Sequence, residues 1–511
     1  MGISYDKTIK RIATAEANKA LWHSILDDCY DYFLPTRNVM DYRSPGQQKD
    51  EKVFDSTATD SLGDFASRME AQLVPPGREW MKLAAGSDIP EEQKDQIETQ
   101  LEKMTETVFS HINSSNFSSQ INECFLDLGI STGAIIVEEG DGIQSSLRFR
   151  AVPLAHLILE RSIRGIAETV WQRIKLPASD IAGIFPHIKM TDELNRMVKD
   201  KPETEVEFIE GVMLNPDERT YTSMILYEKD KSILFEEQLE SSPWVIFRES
   251  TTPGEVYGRG RAMRCLNDVR TLNKVMQYYI ESCELNGNPI YTAVDDGVIN
   301  PHTIKIRPKT IIPVAAADTI NPLPMAGAPE LSIDLINRLQ DNIRRVMMSK
   351  PFGQIDETPV RTATEMSIRN ADLAETTASA SGRIQTELLE RLIARCVFVL
   401  KTAGKVPDIR VDGREIAVKY TSPAARKQDE ADLSIIMRFQ EIMQMFPPDL
   451  VATTVKMDDV PRYIANMMGV DKNLIMTAEE TQNKTMEIQQ NRAAMQEQEM
   501  MQQGAPSGIQ Q

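Results

Sequence analysis

The chain has 511 residues, a formal net charge of −19 and 41% hydrophobic residues. This length exceeds what one hydrophobic core supports and predicts several domains or a large segmented subunit. The negative charge argues against a protein that grips nucleic acid over its outer surface, because such binding needs clustered lysine and arginine. It is compatible with a protein through which DNA passes, since an acidic wall repels phosphates and lets a duplex slide.

The sequence shows no targeting or metal-binding pattern. No apolar run approaches about 18 residues, and the N-terminus is a polar helix, so we predict neither a signal peptide nor a membrane span. The five histidines have no paired ligand spacing, which predicts no metal site and no cofactor. The cysteines form no Cys-x-x-Cys pair and are predicted to be buried thiols of a cytoplasmic protein: Cys29, Cys124, Cys265, Cys283 and Cys396.

The first half of the chain predicts an α+β region that begins with helices. Residues 4–33 form one predicted helix, with Leu21 among its buried positions. A second helix is predicted over 56–73, where Asp55 or Ser56 can cap the first amides. Its apolar stripe consists of Leu62, Phe65, Ala66, Met69 and Leu73.

Shorter elements are predicted up to residue 250. A hairpin is expected around Gly140-Asp141-Gly142, because turn residues separate two β-branched stretches. The predicted helices are about 90–113, 118–128 and 178–200, and the predicted strands are 134–138, 146–152, 205–213, 221–228 and 244–248.

The middle of the chain predicts two long helices that flank a short β segment. The first opens at Gly258-Arg259-Gly260 and runs to about residue 286, with a heptad-like apolar stripe. The second spans about 329–350, and residues 289–327 between the helices predict strands and turns. A lone hairpin of this kind leaves one stripe uncovered, whereas many copies packed around an axis would cover it. The residues predicted to pack this stem are Val269, Leu272, Met276, Leu335, Leu339 and Ile343.

The last third of the chain is predicted to be mainly helical. Thr362-Ala363-Thr364-Glu365 spells a capping box that starts a helix to about residue 403. Small residues at 376–382, in the centre of this helix, permit another backbone to approach closely or the helix to kink. An equally weighted alternative is that these residues only lower the local stability of the helix. The later elements are a strand at 408–418, a helical module at 422–475, a last helix from Thr477 and a tail after Gly504 that is predicted to be disordered.

Two motifs look like signatures of chemistry. Gly129-Ile130-Ser131-Thr132-Gly133 matches the Gly-x-Ser-x-Gly elbow of serine hydrolases, which needs a strand before the serine and a helix after it. Here the predicted order is reversed, so a serine esterase using Ser131 is a remote alternative. Gly258-Arg259-Gly260 lacks the third glycine of a dinucleotide site, and Gly404-Lys405 lacks the upstream glycine of an ATP-binding loop. We therefore predict that the chain is not an enzyme.

Several segments together resemble one known family. Val53-Phe54-Asp55-Ser56-Thr57-Ala58, followed by Leu73-Val74-Pro75-Pro76-Gly77-Arg78-Glu79-Trp80, resembles the N-terminal signature of the portal, or head-to-tail connector, proteins of short-tailed (podovirus-type) bacteriophages. The chain departs from the family in its Gln/Met-rich tail. Further matches keep the family's order over about residues 5–480, and they include 22–35, 257–260, 288–290, 362–365 and 422–425.

The resemblance implies a homo-oligomeric ring, usually of twelve copies, at one vertex of a capsid. Double-stranded DNA would be packaged and ejected through its channel, and the terminase large subunit and then tail proteins would dock on it. Other implied partners are the major capsid and scaffolding proteins, the tail adaptor or tube, and internal core proteins, with no membrane. The implied location is the virion, after assembly in the host cytoplasm. The alternative is a ring-forming tail adaptor or scaffold without a DNA-sized bore.

The family's architecture, carried onto this chain, divides it into named parts. The implied fold is α+β and mainly helical. The parts are a wing at 1–257, a first stem helix at 258–287, a clip at 288–327, a second stem helix at 328–350, a channel loop at 351–362, a long wing helix and strand at 363–421, a crown at 422–476, and a C-terminal helix and tail at 477–511.

In a ring, each side chain occurs once in every copy, so one residue near the channel would contact DNA at many points. Polar and basic residues near the channel are therefore the candidate DNA contacts. For Lys350, a cation at a helix C-terminus is an alternative of at least equal weight. For the arginines of the second stem helix, pairing with acids such as Asp334 and Asp341 is favoured. The candidates are Lys350, Gln354, Arg361, Arg338 and Arg345.

Three cations alternate along a predicted clip strand. They are candidates for docking the terminase or the tail adaptor, and the lumen is the third possibility. These residues are Lys305, Arg307 and Lys309.

Overall fold

The computed structural model describes most of the first 290 residues and several later segments. The described ranges are 4–37, 53–85, 91–142, 144–160, 165–215, 220–287, 291–293, 320–322, 329–349, 382–407 and 416–420, with isolated positions between 436 and 484. The chain divides into two compact units, Met1–Val418 and Lys419–Gln511. The predicted channel loop, the capping box at 362–365 and the C-terminal tail lie outside the described residues, and the predicted helical module at 422–475 is described only at isolated positions.

The described helices and strands form a mixed fold, as predicted. The helices are α1 (Tyr5–Ala20), α2 (His23–Phe33), α3 (Thr57–Leu73), α4 (Glu91–Asn113), α5 (Phe117–Ile130), α6 (Ile181–Ile184), α7 (Asp192–Asp200), α8 (Arg261–Gly287), α9 (Pro329–Val346) and α10 (Glu390–Thr402), the last preceded by a π-helical turn at Gln385–Leu389. The strands are β1 (Met81–Ala85), β2 (Thr132–Glu139), β3 (Leu147–Ala151), β4 (Leu157–Leu159), β5 (Val170–Pro177), β6 (Glu205–Asn215), β7 (Thr220–Tyr227), β8 (Ser232–Leu239), β9 (Trp244–Arg248), β10 (Tyr291–Ala293), β11 (Ile320–Pro322) and β12 (Ile416–Tyr420).

The largest described sheet is a meander in the order β4-β5-β6-β7-β8, with antiparallel neighbours. Side chains alternate between its two faces, as the pleat of a strand requires. One face, with Trp171 and Ile209, packs against Ile12 of α1. The opposite face, with Phe208, packs against Leu194 of α7. The sheet is therefore buried on both sides.

A second sheet has three strands in the order β3-β2-β9. Strand β2 lies in its centre and follows α5 after one residue, Ser131. Strand β9 pairs with β2 in antiparallel register, with Thr132 opposite Arg248. This pairing places the start of β2 beside the end of β9. Strand β1 pairs with β12 in a separate sheet.

The prediction of one helix over 4–33 was wrong. The chain turns at Leu21 and Trp22, and Leu21, predicted to be buried, is 82% exposed. The turn lets the Trp22 ring meet Tyr257, with 5.9 Å between ring centroids, while the Arg259 guanidinium lies 5.1 Å from the Trp22 ring centre. Tertiary contacts of one aromatic side chain therefore override the local helical pattern.

The helix predicted over 178–200 is likewise interrupted. α6 ends before Pro186, which has no amide hydrogen to donate, and α7 begins afresh after Thr191. The Thr191 hydroxyl caps α7 by accepting from the Leu194 amide at 3.4 Å.

The N-terminal signature is ordered at both of its ends. All five predicted stripe residues of α3 are buried. Asp55, not Ser56, provides the cap, because its Oδ1 accepts from the Thr57 amide at 2.9 Å. After α3, Gly77 adopts a φ of 72°, a left-handed conformation that favours glycine. Trp80 then packs against Phe109, with ring centroids 5.1 Å apart.

Candidate functional site: the two-helix stalk and its base

Helices α8 and α9 form an antiparallel pair, here called the stalk. Strands β10 and β11 pair between them, with Thr292 opposite Asn321, so the end of α8 and the start of α9 lie at the same tip. At the other end, the first residue of α8, Arg261, donates from Nη1 to the carbonyl of Val346, the last residue of α9, at 3.0 Å. The stalk thus has a tip near β10–β11 and a base at Arg261 and Val346.

Burial along the stalk is uneven. Near the base, Val269, Leu272 and Ile343 are buried, while Met276 and Leu339 are half-buried. Leu335, predicted in the same stripe, is 43% exposed, and the neighbouring Ile336 is buried instead. Four large apolar side chains are exposed nearer the tip, and we call them the exposed edge: Tyr278 at 57%, Ile280 at 45%, Ile333 at 43% and Leu335 at 43%. Residues two apart on a helix point to nearly opposite sides, so the exposed edge presents apolar side chains on more than one side of the stalk. Exposed apolar side chains on a helix pair are typical of an interaction site.

Cys283 also lies in the tip half of α8 and is exposed, so the prediction that all five thiols are buried was wrong for this one. The other four are buried. Burial raises the pKa of the Cys29, Cys265 and Cys396 thiols to about 12 and that of Cys124 well above its ordinary value. Cys283 is therefore the accessible thiol of the chain.

The Gly-x-Ser-x-Gly and Gly-x-Gly motifs pack against each other at the base. Ser131 Oγ donates to the Gly258 carbonyl at 2.7 Å, and the Gly258 amide donates to Thr132 Oγ1 at 2.9 Å. The Gly260 amide donates to the Ile130 carbonyl at 3.1 Å. A Cβ on Gly260 would lie 2.3 Å from that carbonyl oxygen, so only glycine fits. These contacts, which we call the socket, fix the point at which α8 begins.

Ser131 stands between α5 and β2, so the order around it is helix, serine, strand, as predicted. Its side chain is fully buried, and its hydroxyl is engaged with the socket. We expect a fluorophosphonate probe to leave the native protein unlabelled, because the hydroxyl has neither the elbow geometry nor solvent access. The check is mass spectrometry of probe-treated protein. Labelling that disappears in Ser131→Ala would instead identify an esterase.

Arg261 joins four parts of the fold at the base. Besides its bond to Val346, its Nε donates to Glu249 Oε1 at 2.6 Å, just beyond the end of β9. Its guanidinium carbon lies 5.8 Å from the ring centre of Phe65 in α3. A cation at the C-terminus of α9 also complements the partial negative charge of that helix end. One side chain thereby ties α8, α9, α3 and β9 together.

Arg248, the residue before Glu249, makes a second and buried ion pair. Its Nη2 and Nε donate to the two oxygens of Glu387 at 2.7 and 3.1 Å, and its backbone amide donates to Glu387 as well, at 3.0 Å. The remaining Arg248 hydrogens reach the carbonyls of Val256 and Gly165 at 2.9 and 2.8 Å. Glu387 lies in the π-helical turn that precedes α10. π-Helical turns often mark functional positions in helices.

Two adjacent residues at the end of β9 therefore hold both flanks of the segment 350–381. Glu249 binds Arg261, which caps the end of α9, and Arg248 binds Glu387 in the helical stretch that leads into α10. Arg383, earlier in that stretch, also donates to Thr251 Oγ1. The predicted channel loop lies between these two anchored flanks.

The charges of α9 pair within their own helix. Arg338 lies 2.8 Å from Asp334, and Arg344 lies 3.7 Å from Asp341. Arg345 Nη2 donates to Asn342 Oδ1 at 2.6 Å. The favoured pairing of these arginines is thus confirmed for Arg338 and Arg344. The other candidates lie outside the described residues: Lys350, Gln354, Arg361, Lys305, Arg307 and Lys309.

The socket and the Arg248–Glu387 pair were not predicted. The sequence singled out both glycine motifs, but each was weighed alone and their mutual contact spans 127 residues in the chain. Arg248 and Glu387 are separated by 139 residues, and neither has a local signal. Within the described part of the chain, no group of His, Cys, Asp and Glu is arranged to hold a metal ion. Among those same residues, no helix is long and apolar enough to span a membrane.

Known proteins resemble this chain over nearly its whole length. Residues 5–476 match the family model described as "Bacteriophage head to tail connecting protein". A "Probable portal protein" of Bordetella phage BPP-1 is 21% identical over 513 aligned positions, which cover 92% of this chain and 88% of that protein. A chain from the "Virion of native gene transfer agent (GTA) particle" overlaps 79% of this chain and 95% of its own length, with 10% identity and a TM-score of 0.36, too weak a likeness to carry an argument. The chain belongs to the bacteriophage head-to-tail connecting protein family.

Proposed function

We propose that the chain is the portal protein of a bacteriophage, the ring at one capsid vertex through which double-stranded DNA enters and leaves the head. The family match over residues 5–476 carries this proposal. The likeness to a protein described as a probable portal protein supports it. The protein then resides in the virion and links the capsid to the tail.

The stalk supports assembly into a ring. Its exposed edge leaves apolar surface in water, and burial of such surface contributes about 25 cal/mol per Å². Neighbouring copies on the two sides of the stalk can cover these side chains, and such head-to-tail contacts close into a ring when the rotation allows. Family resemblance sets the proposed copy number at twelve.

The remaining parts of the chain take the family's roles in this proposal. The stalk is the stem, residues 288–327 form the clip, and residues 351–362 form the channel loop between the two anchored flanks. The first 257 residues form the wing, and 422–476 form the crown. The terminase would dock during packaging and the tail proteins afterwards, with Lys305, Arg307 and Lys309 as candidate contacts.

We propose that the chain acts as a passive conduit and not as an enzyme. A separate terminase would supply the energy for packaging. The net charge of −19 suits this role, since twelve acidic copies would repel DNA and limit its adhesion to the channel wall. Lys350, Gln354, Arg361, Arg338 and Arg345 would offer only transient contacts to the phosphates.

Deletion of residues 353–359 is expected to leave the rings intact and to let packaged DNA slip back out of the head. The reason is that both flanks of the segment are anchored independently of it, through Arg248 and Glu249. Nuclease-protected DNA in purified particles measures retention, and electron microscopy checks the rings. Particles of the deletion variant that retain a full genome would remove the loop from the mechanism.

Genetic removal of the protein tests the proposed function. Without a portal, the terminase has no docking site, so we expect empty shells and uncut DNA concatemers in infected cells. A tail adaptor acts only after the head is full, so its loss would still yield DNA cut to genome length. Genome-length cut DNA in the absence of this protein would overturn the portal assignment and favour the adaptor.

A further inference from the structure

The family signature at residues 53–57 contacts both helices of the stalk. The backbone amide of Phe54 donates to Asn273 Oδ1 of α8 at 2.7 Å. Gln340 Nε2 of α9 donates to Asp55 Oδ2, also at 2.7 Å. Asp55 uses its other oxygen to cap α3 through the Thr57 amide. We call Phe54 and Asp55 the collar, because they join α8, α9 and the first turn of α3.

The collar lies where the stalk leaves the rest of the first compact unit. On the base side, Leu272 of α8 and Ile343 of α9 are buried. On the tip side, Tyr278 and Leu335 are exposed. Beyond the collar, the described part of the stalk therefore has few contacts within its own chain that fix its direction.

A second pair of contacts holds Ser349, three residues after the end of α9. Arg68 Nη2 of α3 donates to the Ser349 carbonyl at 2.7 Å, and the Ser349 hydroxyl donates to Asp64, also of α3. Between α9 and Ser349, Met348 adopts a φ of 56°, a conformation that side chains other than glycine rarely take. The chain from Asp55 through α3 therefore contacts the α9 segment at two separate positions, Gln340 and Ser349. Two separate contacts define the direction of a helix, whereas one contact would let it pivot.

The part of α8 between the collar and the tip of the stalk is long. From Asn273 to Gly287, α8 extends about 20 Å, so a tilt of roughly 15° at the collar would move the tip by about 5 Å. A movement of this size exceeds what packed interfaces tolerate. The direction of the stalk therefore needs a fixed support near its base.

We propose that the collar is a positioning element that sets the angle at which the stalk leaves the body of each chain. Asp55 is the central residue, because one carboxylate both starts α3 and holds α9. This role belongs to the single chain and goes beyond the proposed function, since it does not depend on whether rings of the protein conduct DNA.

A hydrogen-bond swap at Asp55 and Gln340 tests the proposal. In Gln340→Glu, two carboxylates face each other and the bond is lost. In the double variant Asp55→Asn with Gln340→Glu, the new amide group can donate to the new carboxylate, while the oxygen of that same amide can still cap α3. Ser56→Ala is the matched control, because Ser56 lies beside the collar and its hydroxyl donates away from the stalk, to Asp60.

The readout is the distance between spin labels on Cys283, near the tip, and on a cysteine introduced by Lys103→Cys, exposed in α4. Labelled chains are diluted in unlabelled protein so that each ring carries one labelled copy. We expect one narrow distance in the wild type and in Ser56→Ala, a broader or shifted distribution in Gln340→Glu, and recovery in the double variant. Thermal unfolding checks that each variant folds.

A Gln340→Glu distribution identical to that of the wild type would overturn the proposal, and so would a double variant that folds without recovering the narrow distance. Either result would leave the portal assignment untouched. Conversely, a collar that behaves as expected in a protein that does not package DNA would overturn the portal assignment alone.

Discussion

Leu335→Asp is expected to leave the chain folded and to abolish its assembly into rings. Leu335 is 43% exposed, so the new carboxylate can reach solvent in the single chain, and the substitution should lower the free energy of unfolding by only about 1 kcal/mol. In a ring, the same carboxylate would be buried unpaired against a neighbour, and the penalty would recur at every interface. Sedimentation velocity measures assembly, and thermal unfolding measures the fold.

Two further variants serve as comparisons for Leu335→Asp. Leu272 of α8 is only 1% exposed, so Leu272→Asp is expected to cost more than about 4 kcal/mol and to damage the chain itself. Ile184→Asp is the matched surface control, since Ile184 is 49% exposed in α6, outside the stalk, and should change neither fold nor assembly. Rings of normal mass from Leu335→Asp would remove the exposed edge from the interface.

Glu387→Ala is expected to cause the second large loss, about 3–5 kcal/mol in the free energy of unfolding. The substitution leaves the buried Arg248 guanidinium without its counter-charge, and the cost of an unpaired buried charge dominates. Denaturant unfolding followed by circular dichroism measures the loss. The pair also anchors the helix that follows the predicted channel loop, so residual rings of this variant should retain DNA poorly.

The matched control for this prediction is Glu255→Ala. Glu255 pairs with Arg259 at 2.6 Å on the surface, where solvent screens the charges, so its loss should cost no more than about 0.5 kcal/mol. A double variant, Arg248→Met with Glu387→Met, should recover much of the stability that Glu387→Ala loses, because no charge is left buried. If Glu387→Ala and Glu255→Ala lowered the free energy of unfolding equally, the buried ion pair would contribute no more to stability than the surface pair.

Local patterns predicted α3 and α8 well. The stop at Pro75-Pro76-Gly77 and the apolar stripe of α3 both agree with the structure, as does the helix that opens after Gly260. These signals are local, because capping, periodicity and glycine breaks act within a few residues. The helix–strand order around Ser131 was predicted for the same reason.

Features that the sequence could not predict depend on contacts between distant segments. Leu21 is exposed because Trp22 packs on Tyr257, more than two hundred residues away in the chain. Strands β1, β4, β5 and β8 were not predicted, because pairing with neighbouring strands, and not their own composition, makes them strands. The base of the stalk likewise arises from Arg248, Glu387 and Arg261, each an ordinary surface-type residue until the fold buries it. The function was predicted from the family resemblance, whereas the contacts at the base of the stalk became visible only in the structure.

Electron microscopy of the purified protein, viewed along its symmetry axis, tests the central claim most directly. The exposed edge of the stalk requires lateral partners, so we predict closed rings with an axial opening wide enough for a DNA duplex. A stable monomer at micromolar concentration, or a closed assembly without an opening of that width, would contradict the account.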